Sequence, residues 1–170
     1  MDFIIEAMRD DDWEKVRAIY LEGMATGHAT FEAEAPEWAK WDSSHVAEPR
    51  LVVRKEGQLS AWASLSRVSA RKVYSGVAEV SIYVGAKFRG QGIGSHLLAS
   101  LISASEEKGF WTLQAGIFPE NVASIEMHRK HGFRVLGVRE SVGKMTFGEL
   151  QGKWRDVVLM ERRSKIVGID

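Results

Sequence analysis

The chain of 170 residues has no cysteine. That excludes disulfides, thiolate zinc sites, a cysteine nucleophile and any acyl group carried on cysteine. It fits a reducing compartment, and the cytoplasm is the expected location. Proline is scarce: Pro36, Pro49 and Pro119 lie far apart, and no Pro/Gly-rich linker divides the chain. No apolar run approaches the ~20 residues of a membrane helix. The first twelve residues carry Asp2, Glu6, Arg9 and three consecutive aspartates, unlike a signal peptide. Neither sign of charge is in excess, because 23 Lys and Arg balance 23 Asp and Glu. This argues against holding nucleic acid by bulk positive charge, and neither a nucleic-acid nor a membrane partner is expected. His28, His45 and His96 show no metal-ligand spacing, and no metal is assigned.

What is present reads as one soluble domain over residues 1–170. Hydrophobic residues make up 45% and charged residues 27%, the balance of a globular protein. A chain of this length buries roughly 70% of its unfolded surface, enough for one core without staples. Phe3 to Met8 reads as an edge strand. Asp10 to Asp12 offer helix caps ahead of Trp13, Val16, Tyr20 and Met24 at helical spacing. A loop from Gly23 to Glu34 follows, and Pro36 opens a short helix through Trp38 and Trp41. Leu51 to Arg54, a turn at Glu56-Gly57-Gln58, and Leu59 to Leu65 form a hairpin signature. The alternation puts Leu59, Ala61, Ala63 and Leu65 on one face. Val77 to Val84 alternates again, with Glu79, Ser81 and Tyr83 sharing a face. Ile93, Leu97, Leu98, Leu101 and Ile102 form one helical stripe that ends at Gly109. Strands at Thr112–Phe118, Phe133–Arg139 and Asp156–Glu161 surround a helix capped by Asn121. The order β-α-α-β-β-β-α-β-α-β-β, seven strands and four helices, gives an α/β sandwich around a mixed sheet.

The strongest chemical signal is Arg89-Gly90-Gln91-Gly92-Ile93-Gly94-Ser95, between a strand and a helix. Glycine lets backbone N–H groups approach an anion, the helix N-terminus adds about half a positive charge, and Arg89 adds a full one. A Walker A loop needs Gly-Lys-Ser/Thr, and no lysine follows Gly94. A dinucleotide fingerprint needs a third glycine where Ser95 stands. The segment therefore reads as a pyrophosphate cradle of another kind.

Arg89-x-x-Gly92-x-Gly94 resembles the acyl-CoA motif of the GNAT N-acetyltransferases, and the element order is similar to theirs. Arg71-x-x-Tyr74, Glu79-x-Ser81-Ile82-Tyr83-Val84, Asn121-x-x-Ser124-x-x-Met127-His128 and Gly152-x-Trp154-x-Asp156-Val157-x-x-Met160 resemble the phosphinothricin acetyltransferase branch. The resemblance spans roughly residues 3 to 162. It implies the GNAT fold, a mixed, mostly antiparallel sheet flanked by helices. It also implies acetyl-CoA as cosubstrate, a homodimer, and direct transfer of acetyl to the amine of a small amino-acid analogue such as phosphinothricin or methionine sulfoximine.

Residue roles follow from chemistry and resemblance together. The acceptor amine is protonated near neutral pH and needs a base. Glu79, at the family's glutamate position, is that candidate. Asn121, Ser124 and His128 share one helix face. His128 sits where the wider superfamily has a tyrosine serving the thiolate, and it is read as an acid, a second base or a packed histidine. Ile82, Tyr83 and Val84 are expected to lend backbone groups to pantetheine, with Asn121 and Ser124 beside it. Arg71, supported by Tyr74, is the candidate clamp for an acceptor carboxylate. Thr30-Phe31-Glu32 resembles the branch's substrate loop. Two competing readings are an acetyltransferase for a protein N-terminus, polyamine or antibiotic, and a non-catalytic acyl-CoA-binding module.

Overall fold

The alternation of the central strands buries side chains on both faces of one sheet, and that sheet organises the chain. A computed structural model describes residues 2–169. The strands are β1 (Phe3–Ala7), β2 (Arg50–Lys55), β3 (Gln58–Arg67), β4 (Val77–Val84), β5 (Thr112–Ile117), β6 (Arg134–Lys144) and β7 (Trp154–Arg163). The helices are α1 (Trp13–Ala25), α2 (Trp38–Ser44), α3 (Ile93–Glu107) and α4 (Val122–Lys130). The seven strands run in the order β1-β2-β3-β4-β5-β7-β6. All neighbours are antiparallel except β4 and β5. A parallel pair needs a crossover, and α3 supplies it.

Two apolar layers hold the helices to the sheet. On one face, the α3 stripe packs over Ala61, Ala63, Leu65 and Ala78, with Ile125 and Met127 of α4 at its border. On the other, Trp13, Val16, Tyr20 and Met24 of α1 meet Trp41, Val52 and Trp62. Trp41 meets Trp62 edge-on at 5.7 Å between centroids, a favoured aromatic geometry. Among the described residues no helix is long and apolar enough to cross a membrane.

The structure corrects four details of the sequence reading. Leu59 does not share the face of Ala61 but packs with Trp62. The β2–β3 register shifts between Val53 and Arg54, which pair with Ala61 and Leu59, leaving Ser60 as the extra residue of a bulge. One added residue reverses every side chain beyond it. The three aspartates do not cap α1 with their side chains; they form a 3-10 turn leading into it. Asp12, almost fully buried, accepts from Arg9 N (3.0 Å) and from Arg54 Nη2 (2.7 and 2.9 Å). Burial pushes the Asp12 carboxyl up, but these hydrogen bonds and the Arg54 charge outweigh it and leave it below its ordinary value. Strand β6 runs beyond Arg139 to Lys144, and β7 begins before Asp156, at Trp154. Their ladder absorbs two irregularities, which hide the alternation. Asp156 accepts from Ser141 N at 2.7 Å, and Lys144 Nζ lies 5.9 Å from the ring centroid of the mostly exposed Trp154, so both residues join β7 to β6.

Candidate active site

The site begins where two strands part. β4 and β5 pair only at Val77–Thr112, Ala78–Leu113 and Glu79–Gln114, although β4 continues to Val84 and β5 to Ile117. Beyond Glu79 the β4 backbone edge facing β5 has no strand partner, and buried backbone groups need one. A cleft of about 1850 Å³ opens there. Ordinary small-molecule pockets hold roughly 300–1,000 Å³, so this one accommodates a long cosubstrate together with an acceptor. Ile82, Tyr83 and Val84 line it, opposite Gly116 and Ile117.

The anion cradle closes one end. Gly90 and Gly92 take φ of +74° and +77°, a region where side-chain-bearing residues are strained. Nothing lies within 4 Å of where a Gly90 Cβ would be, so the backbone is open to a ligand. Gly92 is the residue from which α3 starts, and the unpaired N–H groups of that helix start with Ile93. Arg89, Gly90, Gly92, Ile93, Gly94 and Ser95 all border the cleft. Gln91 does not. It turns to the surface, accepting from Lys55 and donating to Lys87 O. The Ser95 hydroxyl is shared with His131 Nε2 at 2.8 Å, leaving its backbone N–H as its natural contribution. This geometry fits a pyrophosphate: positive-φ glycines, a helix start and one guanidinium converge with no acidic side chain within the loop.

Glu79 and His128 both line the same cleft. Glu79 Oε2 accepts from Gln114 Nε2 at 2.7 Å; no ion pair with Arg71 forms. His128 is 2% exposed. Its Nδ1 lies 2.8 Å from Ser124 O. A carbonyl only accepts, so Nδ1 carries the proton and Nε2 presents a lone pair. Nε2 is buried without a partner, and Phe133 stands edge-on to the ring at 4.9 Å. Burial, with a smaller push from His131, holds His128 below its ordinary pKa, against the opposing Ser124 hydrogen bond. An imidazole in this state stays uncharged near neutral pH, with a lone pair at Nε2 and no proton to give there. Asn121 both caps α4, accepting from Ser124 N at 3.3 Å, and donates from Nδ2 to His28 O at 3.4 Å. The Tyr83 ring turns from the cofactor side and stacks on Trp62 at 4.8 Å. Burial raises its phenol above the ordinary value, so it stays a neutral hydroxyl.

The far end of the cleft lies under the α1–α2 loop. Thr30 and Phe31 line the cleft. Phe31 meets Phe118 edge-on at 4.9 Å and fills the space that a Gly143 side chain would take, with Phe31 Cζ 2.6 Å from a Cβ built there. Glu32, Glu34 and Glu37 form an acidic lip. Arg71 and Tyr74 are not brought into this cleft. They are exposed on the β3–β4 connection, with the guanidinium 5.4 Å from the Tyr74 ring centroid. Sequence reasoning missed Gln114, whose role depends on strand register, and Arg139, which lines the cleft from β6. It also missed Arg155, a buried cation that no local motif marks.

This is the geometry of an acyl-CoA-dependent transferase, and comparison with known proteins agrees. Residues 5–133 match the acetyltransferase (GNAT) family. The chain belongs to that family, whose members are N-acetyltransferases with acetyl-CoA as cosubstrate. The phosphinothricin N-acetyltransferase of Alcaligenes faecalis is 33% identical over 164 residues, covering 93% of this chain and 81% of that one. The L-methionine sulfoximine/L-methionine sulfone acetyltransferase of Pseudomonas paraeruginosa is 32% identical over 105 residues, 62% of this chain and 58% of its own. The crystal structure of a GNAT superfamily phosphinothricin acetyltransferase from Sinorhizobium meliloti, in complex with acetyl-CoA, superposes with a TM-score of 0.86 at 27% identity. It covers all of this chain and 92% of that one.

Proposed function

We propose that this N-acetyltransferase passes acetyl directly from acetyl-CoA to the amino group of a small amino acid or analogue of the phosphinothricin or methionine sulfoximine type, in a ternary complex. The observation that carries this reading is Glu79. Its carboxylate lines the cleft where β4 and β5 part, one strand-length from the glycine cradle. Gln114 orients Glu79 by one oxygen, leaving the other to take a proton from the acceptor ammonium. The cradle from Arg89 to Ser95 holds the pyrophosphate, and the β4 edge at Ile82–Val84, where the Val84 carbonyl accepts from Arg89 Nε at 3.1 Å, offers its remaining backbone groups to the pantetheine amides. His128 acts as a proton acceptor through Nε2. The missing cysteine supports transfer without a cysteine-bound acyl group.

Two arginines compete for an acceptor carboxylate: Arg139 on the cleft wall and Arg71 beyond it. Thr30 and Phe31 complete the acceptor side of the cleft, and Tyr74, exposed beside Arg71 outside it, stands with Arg71 as the remoter alternative. The names of the Alcaligenes and Pseudomonas relatives support the substrate class. A homodimer, a cytoplasmic place and a role in detoxification belong to the same reading. The homodimer draws on β6, an outer strand that leaves Val135, Leu136 and Val138 exposed, the kind of edge another chain covers. Gel filtration giving a monomer would remove it.

Incubation with acetyl-CoA and either analogue, following free thiol, tests the function. CoA release only with non-carboxylate amines would sink the amino-acid assignment. A second reading, a cationic acceptor such as a polyamine, is favoured by the acidic lip at Glu32, Glu34 and Glu37. In that case spermidine outcompetes methionine sulfoximine in the same assay.

A further inference from the structure

Arg155 of β7 is 5% exposed, and the mechanism above makes no use of it. Its guanidinium sits 3.8 Å from the Phe118 ring centroid, a desolvated cation–π contact. Nη1 donates to Gly27 O at 2.7 Å. Nη2 donates to His28 Nδ1 at 3.0 Å and to Glu120 Oε2 at 3.1 Å. Gly27 and His28 belong to the α1–α2 loop; Phe118 and Glu120 belong to the turn between β5 and α4. Asn121, next along that turn, adds its own bond to His28 O. One buried guanidinium therefore joins the loop that carries Thr30 and Phe31 to the segment that starts the His128 helix. Arginine has five donors in a fixed fork and no acceptor, which suits it to three acceptors held in one arrangement. It also sets the His28 tautomer: Nδ1 accepts, so the neutral ring holds its proton on Nε2.

We propose that Arg155 is a positioning residue that fixes the loop of residues 26–34 against the start of α4, and so sets affinity for the acceptor without touching it. The proposal rests on the reading that this loop faces the acceptor. The fork reaches the start of α4, where Asn121 and Ser124 are expected beside pantetheine, but the anion cradle is built from α3 and the end of β4, so acetyl-CoA is expected to respond less than the acceptor. Removing the guanidinium leaves no buried anion behind, because the Glu120 side chain is 53% exposed. Methionine at 155 keeps an apolar stem against Phe118, so the variant is designed to fold.

The experiment compares wild type, Arg155→Met and Arg155→Lys. Three quantities are read: KM for methionine sulfoximine, Kd for acetyl-CoA by calorimetry, and amide exchange over residues 26–34. The methionine variant is expected to raise acceptor KM about tenfold or more, the low end for losing one hydrogen bond to a charged group. Its acetyl-CoA Kd should move less than about twofold, and loop exchange should accelerate. Lysine should recover part of the loss, since one ammonium replaces a fork. Unchanged KM and loop exchange in Arg155→Met overturn the proposal, as does equal weakening toward both ligands. Should the methionine variant not fold, His28→Ala removes one of the three acceptors and must shift loop exchange in the same direction; no shift overturns the proposal. If wild type acetylates no amino-acid analogue, the acceptor assignment fails, while loop exchange still decides the role of Arg155.

Discussion

Glu79→Gln separates proton transfer from site architecture. Gln114 Nε2 donates to Glu79 Oε2 at 2.7 Å, and a glutamine at 79 offers a carbonyl to the same donor. The substitution therefore keeps the hydrogen bond and shape while removing the charge and the basicity. Without a base, the enzyme depends on acceptor that is already neutral. A peptide α-amine has a pKa of about 8, and the carboxylate of a free amino acid holds its α-ammonium about one unit higher, so the acceptor is about 1% neutral at pH 7, about 9% at pH 8 and about half at pH 9. The ratio of wild-type to variant kcat/KM should then be about a hundredfold at pH 7, about tenfold at pH 8 and about twofold at pH 9. Tenfold corresponds to about 1.4 kcal/mol of barrier, a modest share of what positioned acid–base groups supply. The assay is thiol release from acetyl-CoA with methionine sulfoximine, at constant ionic strength. A ratio that stays flat across this range would refute the base role and leave Glu79 as part of the cleft wall. An acceptor with a lysine-like amine, pKa about 10.4, shifts the whole curve up by more than one pH unit. The same titration thus reports which kind of amine is deprotonated.

Other consequences are open to direct measurement. Arg54→Met leaves Asp12 buried without its partner, which costs about 3 kcal/mol and should appear in denaturant titration; a loss under 1 kcal/mol contradicts that account. Arg71→Ala and Arg139→Ala identify the carboxylate clamp. The variant that raises KM for methionine sulfoximine far more than for a simple amine marks it, and equal effects on both amines refute a clamp role for that residue. Burial holds His45, His128 and His131 below their ordinary values, so the unfolded chain binds protons more readily than the native one. Their stability contribution is full above the unfolded histidine pKa of about 6.5 and is lost as pH falls below it. Urea midpoints at pH 7.5, 6.5 and 5.5 should decline in that order, and His128→Gln should flatten the decline.

How much of this was legible in the sequence depends on the length of chain over which each cause acts. The order of elements was readable because alternation in β4 and the apolar stripe of α3 are local, and all five stripe residues are buried. The cradle was readable for the same reason: positive-φ glycines and a helix start lie within six residues. The face of Leu59 was not, because a bulge at Ser60 leaves no mark except in the register of the partner strand. The same limit separates Glu79 from Gln114. Each is an ordinary polar residue on its own strand, and only the parallel pairing of β4 with β5 makes them a hydrogen-bonded pair. Arg155 is the extreme case. Its partners at positions 27, 28 and 120 are separated from it by 128, 127 and 35 residues, and they converge only because β7 inserts between β5 and β6. The late strand that closes the sheet thereby brings a cation beneath a loop formed near the other end of the chain. On the proposed function, the donor half of the site is therefore written locally and the acceptor half by topology. Substitutions that redirect acceptor choice are accordingly expected among residues such as Arg139 and Arg155, which no motif of the acceptor loop contains.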